Sequence, residues 1–373
     1  MQQFLFASAQ DGDAVSLVKQ CLEQIGPIPS QATLGFVYAT DLLANDMQAI
    51  LTRLRQYAPD MHWLGTVGLG ICCGGVEIYD RPALAIMISD IANDGFRILP
   101  KYNGRTDELP AQITEWYHTQ DFCFALLHAD PGNPMTPEWI DDLRQEQNIS
   151  FINGGLTSSN NEHVQVADGV LSGGISGALF NDTTHIVTDH TQGCSPIGPV
   201  HEITRAERNI VMTLDRQTAV EVMKEDIGEV LAKDLGRIGG YIFAALPIAE
   251  SDTGDYLVRQ LIGIDPDHGM LAIGDIIDAQ QRLMFCRRDG NSAREDMQRM
   301  LERLAQRTGE QQIRGGIYIS CLGRGRHQFG ENSEELKMIQ QYLGEFPLVG
   351  FFANGEVYNG RLYGYTGVLT LFM

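Results

Sequence analysis

Apolar and polar positions alternate between two periods along the chain, and the same order of periods occurs three times. The first copy opens with Leu34-Gly35-Phe36-Val37-Tyr38-Ala39, an apolar run of strand formers. From Asp41 to Tyr57, the residues Leu43, Met47, Ile50, Leu51 and Leu54 share one face, which predicts an amphipathic helix stopped at Pro59. Leu64 to Gly68 turns into another strand, and Pro82 to Ile88 closes the unit. The second copy starts at Phe122 to Leu127. A helix follows that opens at Thr136-Pro137, where Thr is suited to cap and Pro to the first turn. Phe151 to Gly155 and Gly174 to Phe180 complete it. The third copy runs Gly316 to Cys321, then a helix from Asn332 with Glu335 at capping-box spacing, then Val349 to Phe352, and it closes with Thr366 to Phe372.

Each copy spans about 30 residues from its first strand to the following glycine, the size of a β-α-β unit. Outside the copies, Ala14 to Ile25 predicts a helix with Leu17, Val18, Cys21 and Leu22 inward. Gln217 to Leu235 predicts another, and Ser292 with Glu295 predicts a cap for a helix running through Leu304. Tyr241 to Ala244, Tyr256 to Arg259 and Gln281 to Phe285 predict strands, and Asp265 to Gly269 a hairpin turn. The fold class expected is α/β, two domains built from repeated β-α-β units with mixed sheets. The strongest linker signal is Gly193-Cys194-Ser195-Pro196-Ile197-Gly198-Pro199, which places the expected domains at 1–198 and 199–373.

With 373 residues and a net charge of −21, the chain is long enough for two cores and carries a surface that repels phosphates. Nucleic acid and membrane surfaces are therefore not expected partners, although Arg314, Arg324 and Arg326 make one candidate basic patch. Seven cysteines occur without a C-x-x-C pair, so neither a zinc ribbon nor a thioredoxin-type site is expected, and Cys72-Cys73 is a poor metal pair. Met1 to Ala9 lacks the basic and apolar regions of a signal peptide, and no apolar run is long enough to cross a bilayer. The expectation is a reduced, cytoplasmic protein. Gly65 to Gly70 lacks the dinucleotide fingerprint, and no Walker A segment occurs.

Thr191 to Pro199 resembles the S-Q-G-C-x-P-I-G segment at the junction of the FIST N and FIST C domains. Ser320-Cys321-Leu322-Gly323-Arg324-Gly325 and Gly350 to Val357 resemble the S-C-x-G-R-G and G-F-x-x-x-G-E segments of the C-terminal FIST domain. One departure is Ala353-Asn354, where the family often has a tyrosine. The resemblance implies a stand-alone bacterial ligand sensor without its own output domain. It would act through a signalling partner such as a histidine kinase or a diguanylate cyclase or phosphodiesterase. Amino acids are one implied ligand class; haem b with nitric oxide sensing is the other.

The candidate ligand-binding residues are Gln192, Cys194, Arg324, Arg326, Asn354 and Glu356. Arg324 and Arg326 flank Gly325 directly after an apolar strand and would form a guanidinium fork for a carboxylate or propionate. Glu356 would bind an ammonium group or, as the favoured reading, pair with one of these arginines. His190 adjoins the matched segment and is the expected axial ligand if haem binds, with Cys194 as the alternative. Gln192 to Pro199 is equally readable as a plain hinge. No catalytic or metal site is assigned. The rival functions are a ligand-free interaction scaffold and a cysteine-dependent hydrolase or transferase that uses Cys321 or Cys194 with His327 or His201.

Overall fold

A computed structural model of the chain describes residues 1–146, 148–248 and 255–373. The polypeptide forms two units, one from Met1–Thr191 with Met297–Met373, the other from Gln192–Asp296. This division is discontinuous, unlike the contiguous 1–198 and 199–373 expected from the proline-rich stretch. Its physical cause is strand pairing between the beginning and the end of the chain.

The first unit contains the three copies, each centred on its own sheet. In the first, strand Leu34–Thr40 runs parallel to His62–Gly68 and antiparallel to the returning strand Ala83–Ser89. In the second, Cys123–Ala129 is parallel to Ile149–Leu156 and antiparallel to Ile175–Asn181. In the third, Gly315–Cys321 is parallel to Leu348–Ala353 and antiparallel to Thr366–Phe372. A leading strand lies beside each returning strand: Leu5–Gln10, Phe96–Tyr102 and Ile186–Gln192 respectively.

Each copy also contains a hairpin before its returning strand, and the hairpins are exchanged in a cycle. Gly70–Cys73 with Val76–Tyr79, from the first copy, extends the sheet of the third. Val164–Ala167 with Val170–Ser172, from the second, extends the first. Glu356–Tyr358 with Arg361–Tyr363, from the third, extends the second. No copy therefore has a complete sheet of its own, and 297–373 belongs with the N-terminal residues.

The central strands are buried on both faces, which explains why they read as continuous apolar runs. The inner faces of the three sheets share one core that includes Phe36, Tyr38, Leu126, Ile317, Ile319 and Phe351. Outward, the first sheet packs on helices Ala14–Ile25 and Met47–Tyr57 through Leu17, Val18, Ile50 and Leu54. The parallel strand following each helix needs a glycine at one matched position. A Cβ on Gly65, Gly154 or Gly350 would lie 1.7, 2.1 or 1.8 Å from the carbonyl oxygen of Val37, Leu127 or Tyr318. Close backbone approach therefore explains these three glycines.

The second unit is antiparallel. Strands Arg282–Arg288, His201–Glu207, Ile210–Leu214, Met270–Ile273, Tyr256–Asp265 and Ile242–Pro247 pair in that order, and Ile242–Pro247 pairs back to Arg282–Arg288, closing a ring. Helix Ala219–Ile227 packs on the ring through Val220 and Met223 against Leu271, Leu283 and Phe285.

Several local expectations are corrected. The stretch read as a linker is a broken strand: Cys194–Pro196 pairs with Arg282–Arg288, and Ile197 N–H donates to Phe285 O, before Gly198 and Pro199 interrupt the ladder. The chain changes units just before it, after Thr191. The helix expected over Gln217 to Leu235 is split at Gly228 into Ala219–Ile227 and Glu229–Ala232. Asp289, and not Ser292, accepts the free amides at the start of helix Gly290–Thr308. Thr136 donates its hydroxyl to Asp130 O and does not cap. Asp265 accepts from the amides of Asp267 and His268, the expected turn. Among the described residues, no helix is long and apolar enough to cross a membrane.

Candidate functional site

Strand Gly315–Cys321 delivers the chain into the turn Leu322 to His327, beside the carboxyl ends of two parallel strands, where open α/β sheets place their chemistry. The turn requires a glycine at 325. Its φ is +50°, and a Cβ there would lie 2.2 Å from Tyr79 Oη and 2.9 Å from Glu77 Oε2. By reversing the chain at this point, Gly325 sends its two neighbouring arginines to different partners.

Arg324 points inward and is fully buried. Its Nε donates to Glu335 Oε1 at 2.7 Å, its guanidinium lies over the Phe329 ring at 4.9 Å, and Nη2 is 3.9 Å from the Met297 sulfur. Nη1 has no hydrogen-bond partner. Glu335, equally buried, also accepts from Tyr318 Oη at 2.7 Å, from Ser320 Oγ and from Gly325 N–H at 2.7 Å. Burial works against the arginine's charge, but Glu335 outweighs it and holds the guanidinium protonated well above its usual range.

Two more carboxyls surround this pair. Glu356, on the third-copy hairpin, is fully buried and accepts from Thr366 N–H at 3.0 Å through Oε2, while Oε1 has no partner. Burial pushes its carboxyl up to about 8 despite the neighbouring Arg324, so it is mostly protonated at neutral pH. Glu77, from the exchanged first-copy hairpin, accepts from Tyr79 Oη at 2.9 Å and is pushed up to about 7 by burial and by the charge of Glu335. Cys321 is the partly exposed member of the cluster. Burial and the Glu356 charge raise its thiol far above the usual range, so it is not a ready thiolate nucleophile.

The remaining expected residues fall elsewhere. Arg326 pairs with Asp80 at 2.6 Å and covers the Tyr79 ring, so it forms no fork with Arg324. Arg314 pairs with Asp90, and the three arginines do not make a basic patch. Asn354 is exposed, and its N–H donates to Leu156 O. His190 is buried in the first unit, stacked on Tyr358 with ring centroids 4.1 Å apart, beside Tyr363 and Asp189. One face of that imidazole is thus covered by Tyr358. Gln192 and Cys194 belong to the second unit. There Gln192 N–H donates to Asp296 and its Nε2 to Tyr256 O, and the Cys194 thiol lies beside Cys286. His201 is held between Asp215 at 2.6 Å and Asp226 at 2.9 Å, which occupies both ring nitrogens and leaves neither to serve a thiol as base.

Glu335 and Glu77 were not among the expected site residues. Glu335 sits where a capping glutamate would, yet it adjoins Leu336 on the buried face of helix Glu334–Leu343, a pattern that marks an inward carboxylate as readily. Glu77 alternates with Val76 and Ile78 in a short strand, and nothing local links it to residues near 325.

Comparison with known protein families gives a FIST N domain over residues 33–217 and a FIST C domain over residues 219–359. The chain belongs to the FIST family. FIST domains are sensory domains of signalling proteins. This FIST chain is 28% identical over 327 residues to the uncharacterized protein Rv0628c of Mycobacterium tuberculosis, covering 83% of each chain. It is 27% identical to the uncharacterized protein Mb0898c of Mycobacterium bovis, covering 96% of this chain and 95% of the other. The border between the two FIST domains falls inside the second unit, and the end of the FIST C domain lies in the first.

Proposed function

We propose that this FIST protein is a sensor of a small ligand bearing a carboxylate, which it holds at the Arg324–Glu356 cluster and reports to a separate signalling partner. The partner would be a histidine kinase or a cyclic-di-GMP enzyme. The observation that carries this reading is a pair of open hydrogen-bonding positions inside the protein, Arg324 Nη1 and Glu356 Oε1. Buried polar groups are nearly always satisfied, so two such positions near one another favour a missing partner. The protonated Glu356 donates, as the guanidinium does, and two donors suit the carboxylate of an amino acid or a haem propionate. Ligand binding would then bias one of two arrangements of the protein.

A thermal-shift panel of amino acids and an absorbance titration with haemin test both ligand classes. A raised melting temperature with one amino acid supports the first class. A Soret band lost in His190→Ala, and retained in His201→Ala and His327→Ala, supports the second. No shift and no Soret band would refute the sensor reading and leave an interaction scaffold.

A further inference from the structure

A cleft of about 510 Å³ opens in the second copy of the first unit, away from the arginine loop. Its lining includes Tyr102 at the end of strand Phe96–Tyr102, His118 at the end of helix Ala111–His118, and Asp142, Glu146 and Asn148 around the end of helix Thr136–Gln145.

Two independent features give this cleft a negative sign, and a third gives it an unpartnered hydroxyl. Two helices end at it, so the negative ends of two helix dipoles lie beside the same space. Asp142 and Glu146 contribute two carboxylates, and among the described residues neither has an ion-pair partner. Tyr102 is only 2% exposed, yet its hydroxyl reaches the cleft without a hydrogen-bond partner among the described residues. Burial, and then the charges of Asp142 and Glu146, push that phenol up to about 12, so it stays a neutral hydroxyl able to accept as well as donate.

We propose that this cleft binds a small organic cation, a primary amine or a linear diammonium. Its ammonium group would lie between Asp142 and Glu146 and donate to Tyr102 Oη. The volume suits an organic molecule, and no group of three or more metal-ligating side chains assembles among the described residues. This site is independent of the sensor reading, because none of its residues belongs to the arginine cluster.

Isothermal titration of the full chain with putrescine, at low ionic strength, tests it. We expect saturable binding that weakens with added salt, with no binding of the neutral analogue 1,4-butanediol. The Asp142→Asn, Glu146→Gln double variant should bind roughly tenfold more weakly or worse, and Tyr102→Phe several-fold more weakly. Both carboxylates are partly exposed and unpaired, so the double variant keeps its fold, which tryptophan fluorescence checks. The proposal is overturned if no saturable heat appears at about 10 mM putrescine, the range of non-specific association. It is equally overturned if the double variant binds as tightly as the parent.

Discussion

Replacing Glu335 by Gln tests whether the Arg324 loop is organised by its buried carboxylate. The isosteric change removes one negative charge and leaves the fully buried guanidinium uncompensated. Breaking a buried ion pair in this way costs about 3–5 kcal/mol. Four groups donate to Glu335, so at least one of them will also face an amide N–H instead of an oxygen. All three tryptophans, Trp63, Trp116 and Trp139, lie in the first unit, so their fluorescence follows its unfolding alone. With an m-value of about 3 kcal/mol/M in urea, a loss of this size lowers the midpoint by about 1–1.7 M. The double variant Arg324→Met, Glu335→Leu removes both charges and should recover much of that loss. A midpoint drop below about 0.3 M in Glu335→Gln would mean the pair is not essential to the loop, and the reasoning would fail.

Two other outcomes follow from the geometry. Gly350→Ala puts a methyl 1.8 Å from Tyr318 O and must force the parallel strands apart; a loss of more than about 3 kcal/mol, or no soluble protein, is expected in the same urea assay, and a neutral effect would contradict the close approach. In the second unit, burial opposes the charge on His201, but Asp215 and Asp226 outweigh it and raise its pKa above 6.5. The stability this provides is complete below 6.5 and is lost as pH rises through the raised value. Hydrogen exchange of the strand His201–Glu207, corrected for its intrinsic pH dependence, should therefore speed up across that window in the parent and show no such step in His201→Phe; identical profiles would dismiss the carboxylate clamp.

The three copies were legible because their central strands are buried on both faces and their helices on one, so burial alone writes the pattern. Leu43, Met47, Ile50, Leu51 and Leu54 are all buried, as their spacing predicts. The exchange of hairpins was not legible. Val357 pairs with Gly154 and Cys73 with Val349, contacts that no local period encodes. For the same reason no local period shows the return of residues 297–373 to the first unit, and the stretch after Gly193 reads as a linker although Pro196 pairs within a strand that only Gly198 and Pro199 interrupt. At the site, Arg324 and Glu356 were named from their motifs, but the motif could not distinguish the buried Arg324 from the surface-paired Arg326. Their separation depends on the turn at Gly325, which only the packing of Tyr79 and Glu77 reveals.

The most direct measurement of the sensor account compares the melting-temperature shift produced by the same amino-acid panel in the parent, Glu356→Leu and Arg326→Ala. Glu356→Leu removes the buried donor, whereas Arg326→Ala removes only a surface pair. The account predicts that the ligand-induced shift changes strongly in the first variant and is kept in the second. Equal shifts in all three proteins would contradict a ligand held at the arginine cluster.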